Sequence, residues 1–198
     1  KNSIIYNMSS IGIFAQGSKV YGENVLITNC GQHLLALNIG GSYNFRHCTF
    51  ANFWPFSRQT PSIFLNNYYE DIYGNSQNRD LVQASFGNCI IDGNNEIEIL
   101  FDKSDDADFN YNLNHCLLKC TEEYWNETWL NSNSQGTIIL TNNKTTDFID
   151  YESNNFELQP YSIAINNGLE SIAQEVPFDI NGVSRTKTPD IGCFENNN

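Results

Sequence analysis

Few residues in this chain are of a type that could do chemistry. Arg46 and His47 are adjacent, and Arg58 follows shortly after. A lyase acting on acidic sugars removes the proton beside a carboxylate with a base, and it neutralises that carboxylate with Arg, Lys or Ca2+. Arg46, His47 and Arg58 are therefore the candidate catalytic residues. The plainer reading makes Arg46 an exposed charge on a strand. It makes His47 and His115 substitutes for Asn in a bend, since His also tolerates left-handed backbone. The run DKSDDAD offers Asp102, Asp105, Asp106 and Asp108 as oxygen ligands for Ca2+, the one cofactor the residues suggest. It does not follow the EF-hand pattern, because Ala107 stands where Gly is needed and Leu113 where Glu is needed. A solvated acidic loop is the simpler alternative. HExxH, GxSxG and Walker-type motifs are absent.

Aromatic residues give a stronger signal. Trp54, Tyr69, Tyr73, Trp125 and Trp129 fall in segments that interrupt the repeating pattern described below. Flat aromatic faces stack on sugar rings, and Tyr and Trp add a polar handle, so these five are the candidate ligand-binding residues. The competing reading folds the same loops back onto the body of the protein, since large exposed apolar patches are rare.

The 198 residues suit one domain with a substantial core. Ten Lys+Arg against 23 Asp+Glu give a net charge of −13. That charge repels phosphate backbones, which argues against nucleic acid as a partner. It also argues against a basic groove for an acidic polymer. The chain contains 30 Asn, about 15% of its residues. Asn is poor in helix interiors and good in turns and left-handed bends, so the chain is expected to turn often. No apolar run is long enough for a membrane-spanning helix. The chain opens at Lys1 inside patterned sequence, so export or anchoring information is expected upstream. An open first strand at Ser3 would then be a docking edge for further coils or for a larger surface assembly.

The elements that must position these residues are legible as a repeat. SIIYNM, VLITNC, YNFRHC, ASFGNC and YNLNHC align on a polar residue followed by sulfur, at separations of 22, 18, 41 and 27. Counting from the sulfur, positions −5, −3, 0 and +2 are expected to face inward. They read Val25, Ile27, Cys30, Gln32; Tyr43, Phe45, Cys48, Phe50; Ala84, Phe86, Cys89, Ile91; and Tyr111, Leu113, Cys116, Leu118. A one-residue bend at −1, filled by Asn29, Asn88 or His, keeps −3 and 0 on the same face. Strand, bend, strand predicts an all-β right-handed parallel β-helix, a solenoid with inserted loops. Cys30, Cys48, Cys89 and Cys116 would form one interior column with Met8, as unpaired core thiols. The coils are expected over 1–145, and the last coil with a C-terminal cap over 146–198. Inserted loops fall at about 54–80, 102–108 and 121–136, expected to cluster on one side. GLESIAQEV (168–176) reads as a turn or two of helix. Arg185, with Asp179, Asp190 or Glu195, is expected to tie the closing segment onto the last coil, because a solenoid end needs a cap.

Two stretches carry a resemblance. GGSYNFRHCTFANFW (40–54) is similar to the core coil of bacterial cell-surface and secreted right-handed β-helix proteins, part of the pectate-lyase-like superfamily. The ending resembles the terminal signature of the choice-of-anchor Q group. It has Ser162, Ala164, Ile165 and Gly168, then Asp179, Gly182 and Arg185, then Asp190, Ile191, Gly192 and Glu195. It departs from that signature at Ile163, Asn166, Cys193 and Phe194. The resemblance implies an extracellular or outer-cell-surface protein, anchored in the manner of a lipoprotein, with a polysaccharide or surface-protein partner. Two functions follow as expectations: a glycan-related binding or structural module, and alternatively a polysaccharide lyase or hydrolase. Against the second, no carboxylate pair and no Lys/Arg pair recurs at corresponding positions of neighbouring coils.

Overall fold

The computed structural model describes residues 1–126, 131–142, 144–185 and 188–196. The chain is mostly β, and its principal strands form three parallel sheets. Sheet I holds β1 (Ser3–Tyr6), β4 (Val25–Thr28), β7 (Thr49–Asn52), β12 (Ile90–Gly93), β15 (Leu117–Lys119) and β17 (Ile138–Leu140). Sheet II holds β2 (Ile13–Gln16), β5 (Leu35–Asn38), β8 (Ile63–Asn66) and β13 (Ile99–Asp102). Sheet III holds β3 (Lys19–Glu23), β6 (Gly41–Arg46), β11 (Leu81–Gly87), β14 (Phe109–Asn114) and β16 (Ser134–Gln135). The chain passes through I, II and III in order and then begins again. Each strand pairs in parallel with its counterpart from the next passage. A short antiparallel hairpin, β9 (Tyr68–Glu70) with β10 (Ser76–Asn78), interrupts the third passage.

The register corrects the repeat by five residues. The corner from sheet III into sheet I is occupied by Asn2, Asn24, His47, Asn88, His115 and Gly136, all with φ between 49° and 60°. Each of the first five donates its backbone N–H across to the next passage, as Asn24 does to Arg46 O and His47 to Gly87 O. Asn7 and Asn29, also left-handed, stand at the opposite end of the four-residue sheet I strands. SIIYNM and VLITNC therefore align on the opposite corner from the other three segments. The true first-passage match to Tyr43, Phe45, Cys48 and Phe50 is Val20, Gly22, Val25 and Ile27. Gly22 has a reason to lack a side chain, since a Cβ there would lie 2.6 Å from the Phe45 ring. Two corners built on the same left-handed Asn, with four strand residues between them, give the same local signature. The sulfur column shrinks accordingly to Cys48, Cys89 and Cys116. Cys30 is buried at the other corner, while Met8 and Gln32 are exposed. All six cysteines are free and buried.

Inside the three sheets lies one apolar core, with Phe45 stacked on Phe86 at 5.4 Å and Phe50 set edge-on to both. Sheet I differs from the others because both of its faces are buried along its middle: β4, β7, β12 and β15 are covered at every position. Their outward residues Leu26, Ala51, Ile90 and Leu117 join Phe148, Phe156, Leu158, Ala164 and Ile191 in a second cluster. The closing segment thus adds no further passage. It lies along the outer face of sheet I, carrying β18 (Phe148–Asp150), β19 (Asn155–Leu158) and α2 (Glu170–Glu175). The late end of the core is covered instead by α1 (Glu122–Asn126), whose Tyr124 and Trp125 pack on the first cluster. Tyr124 Oη accepts the Phe101 N–H of the edge strand β13.

Candidate functional site

The catalytic candidates do not assemble. His47 is fully buried beneath the closing segment. Arg185 Nε lies 2.9 Å from its Nδ1, and Asn88 Nδ2 lies 2.9 Å from its Nε2. Asn88 is oriented by a reciprocal pair, receiving Leu169 N–H at Oδ1 and donating to Leu169 O. Nδ1 also lies 3.3 Å from Gly192 O, so the ring is held between two donors and a carbonyl. Burial first, then the Arg185 guanidinium, hold the His47 pKa well below the usual imidazole value. Arg58 is buried too, forked onto Glu98 through Nη1 to Oε2 at 3.0 Å and Nη2 to Oε1 at 2.5 Å. Glu98 also accepts Ser62 N, Ser62 Oγ and Asn95 N. Arg46 alone of the three reaches the surface. It pairs with Glu175 of α2 and donates to the Tyr21 hydroxyl at 3.2 Å.

Arg185 and Asp190 hold the closing segment together, but against the III–I corner rather than the last strand. Arg185 Nη2 donates to Gly192 O at 3.1 Å, and its Nε lies 3.7 Å from Glu195 Oε2. Asp190 accepts the backbone N–H of Asn166 and Asn196, and Asp179 accepts those of Asn181, Val183 and Glu195. Burial, with Asp190 as a neighbouring charge, pushes Glu195 up to about 7.

The aromatic candidates are dispersed. Trp54 is half-buried beside Phe56 at the I–II corner, and Trp125 is half-buried on the core end. Tyr69 and Tyr73 are exposed in the hairpin at the II–III corner, and Trp129 lies outside the described residues. The insertions do not share one side, though two of them meet at the II–III corner. There Asn67 Nδ2 donates to Ser104 O and Ala107 O, and Tyr68 Oη donates to Asp102 Oδ2 at 2.8 Å. That bond to Asp102 raises the Tyr68 pKa. The acidic run is spread over separate contacts: Asp102 with Tyr68, Asp105 with Lys103 at 2.7 Å, and the Asp108 backbone N–H with Asp80 Oδ1. Among the described residues no three His, Cys, Asp or Glu side chains converge on a metal-sized site.

What the fold does assemble is the outer face of sheet III. With Tyr43, Phe45 and Phe86 pointing inward, the alternate positions point out. Register aligns Tyr21, Asn44, Ser85 and Asn112 in one row across four strands. Lys19, Ser42 and Gln83 form a second row, and Glu23, Arg46, Gly87 and Asn114 a third. Neighbouring rungs are about 4.8 Å apart. Ile172 of α2 overhangs Gly87, where a Cβ would meet its Cδ1 at 2.8 Å, so the helix borders the face on one side. On the other side a groove of about 660 Å3 follows the II–III corner, lined by Lys19, Ser42, Tyr69, Arg79, Asp80 and Val82. Beside the lining, Gly40 has φ +67°, and a Cβ there would lie 2.4 Å from Asp80 O. Apart from Tyr69 and Arg46, the sequence reading named none of these residues as part of a site.

No family model, no curated protein and no solved structure matches this chain. Among the described residues no helix is long and apolar enough to cross a membrane.

Proposed function

We propose that the chain is a right-handed parallel β-helix of the bacterial cell-surface type it resembles. In this reading it is exported and works as a glycan-binding or structural module. The repeated passage through three parallel sheets supports the helix, and right-handed crossover is the strong rule for parallel strands. The observation that carries the function is the row Tyr21–Asn44–Ser85–Asn112 lying beside a groove edged by Tyr69. A rigid ladder of amides and hydroxyls with an aromatic edge offers hydrogen bonds and stacking to a polymer laid across the strands. A surface protein is the other partner class consistent with such a face, and no step in this reading needs Ca2+. The lyase alternative is weakened, because two of its three catalytic residues are buried in structural contacts.

A glycan array followed by titration tests the reading. Binding should weaken about tenfold in Asn44→Ala and in Tyr69→Ala, the loss of about 1.4 kcal/mol of contact. Trp54→Ala and Trp125→Ala, away from this face, should leave it unchanged. An array without hits, or hits indifferent to Asn44 and Tyr69, would refute the proposal. Ultraviolet absorbance of an unsaturated product across an acidic-polysaccharide panel would revive the lyase.

A further inference from the structure

Resting on the glycan reading above, we infer that the groove beside sheet III selects glycans bearing an anionic group, a carboxylate or a sulfate, and that Lys19 and Arg79 receive it. The net charge of −13 argues for the opposite, so the position of each cation decides. Arg58, Lys119 and Arg185 are buried in structural contacts. Lys1, Arg46 and Lys103 are already paired, with Glu23, Glu175 and Asp105 respectively. Among the described residues Lys19, Arg79 and Lys144 have no carboxylate partner, and Lys144 stands apart in the loop after β17. Lys19 and Arg79 are exposed and share one groove.

That groove contains one opposing charge, Asp80, whose Oδ1 already accepts the Asp108 N–H at 3.1 Å. Two cations against one carboxylate give the lining residues a net charge of +1. Charges elsewhere on the acidic surface are screened beyond about 8 Å at physiological salt, which limits their reach into the groove. The chemistry of the two side chains differs usefully. The Arg79 guanidinium is a planar fork suited to a carboxylate or sulfate edge, while Lys19 supplies a compact point charge. Arg79 Nη1 donates to the Asn78 carbonyl at 2.9 Å. Tyr69 at the rim gives the sugar ring a face to lie on. Arg79 is positioned from behind by its backbone N–H, which donates to Asn67 O at 2.8 Å.

Four probes test the inference: a glucuronate oligomer, its carboxyl-reduced neutral counterpart, a sulfated glucan oligomer and the unsulfated glucan. Calorimetric titration of the whole chain should show one of the anionic oligomers binding about tenfold tighter than its neutral counterpart, with the advantage shrinking as salt is raised. Comparison of the two anionic arms then identifies the group. K19Q/R79Q should abolish the advantage, and K103Q, which removes a cation already paired, should preserve it. Equal binding of anionic and neutral oligomers, or an advantage that survives K19Q/R79Q, overturns the inference and leaves the glycan reading standing. Failure of all four probes and of the wider array removes both.

Discussion

Arg58 and Glu98 allow a sharp test of whether a polar pair in this chain serves the fold or a reaction. Their side chains are 2% and 0% exposed, and Glu98 receives five hydrogen bonds, two from Arg58, two from Ser62 and one from Asn95. Glu98→Gln keeps the shape but leaves the guanidinium without a counter-charge and turns an amide NH2 toward donors. Breaking a buried pair in this way costs about 3–5 kcal/mol. For a chain of this size each kcal/mol lowers Tm by about 2–4 °C, so calorimetry should record a drop of about 6–20 °C. The double variant Arg58→Met/Glu98→Leu removes both charges and should recover part of that loss. Recovery is incomplete because the Ser62 and Asn95 backbone N–H groups lose Glu98 as their acceptor. A cost below about 1 kcal/mol for Glu98→Gln would refute the reasoning, since the pair would then behave as a solvated surface bridge. So would a double variant less stable than the sum of its singles.

Other predictions are independent of that pair. Gly40→Ala should cost about 2 kcal/mol or more in urea unfolding, because its φ of +67° and the Asp80 carbonyl 2.4 Å from the new Cβ both oppose it. His47→Asn should be tolerated far better than His47→Val, since Asn fills the same left-handed corner at Asn24 and Asn88. Glu195 has a folded pKa of about 7 against an ordinary 4.5, so its proton favours the folded state. That contribution is complete below pH 4.5 and lost as pH rises to about 7, and Glu195→Gln should flatten this part of a Tm-against-pH profile. His47 acts in the other direction. With its pKa lowered, its contribution is present above the ordinary 6.5 and falls away on acidification, a loss that His47→Asn should remove. Native protein should resist thiol labelling, while the unfolded chain should release all six cysteines, two of which, Cys120 and Cys193, are held near 12 by burial.

Strand, left-handed bend and strand were readable in the sequence because they are local. The bend residues His47, Asn88 and His115 were placed at the correct corner. The error at Asn29 arose because a four-residue strand bracketed by Asn24 and Asn29 offers the same pattern at either end, and only pairing to β7 chooses between them. The double burial of sheet I carried a sequence signal that alternation obscured. VLIT and LLK are apolar at consecutive positions, as strands covered on both faces are. What covers them could not be read locally: Phe148, Phe156 and Ile191 arrive from far along the chain. The placement of Trp125 and Arg58 was not legible for a related reason. Both lie in insertions, and an insertion that folds back to cover a core end, as α1 does, looks in sequence like one that reaches into solvent.

The surface rows were illegible for a deeper reason. Tyr21, Asn44, Ser85 and Asn112 are separated by 23, 41 and 27 residues, and nothing local marks any of them. They become one site only because each lies two positions before a residue that shares a row with Glu23 and Arg46, three positions ahead of the III–I corner. The corner residues therefore do more than reverse the chain. By fixing where every sheet III strand ends, Asn24, His47, Asn88 and His115 set the phase of the outward side chains, and a one-residue slip at any of them would turn Asn44 or Ser85 into the core. Inserting one residue between Arg46 and His47 should for that reason destabilise the chain severely. Inserting one at Gly74, in the exposed tip of the β9–β10 hairpin, should leave both stability and the rows intact. Circular dichroism with thermal unfolding distinguishes the two, and equal tolerance of both insertions would mean that the corner column does not set the phase of the face.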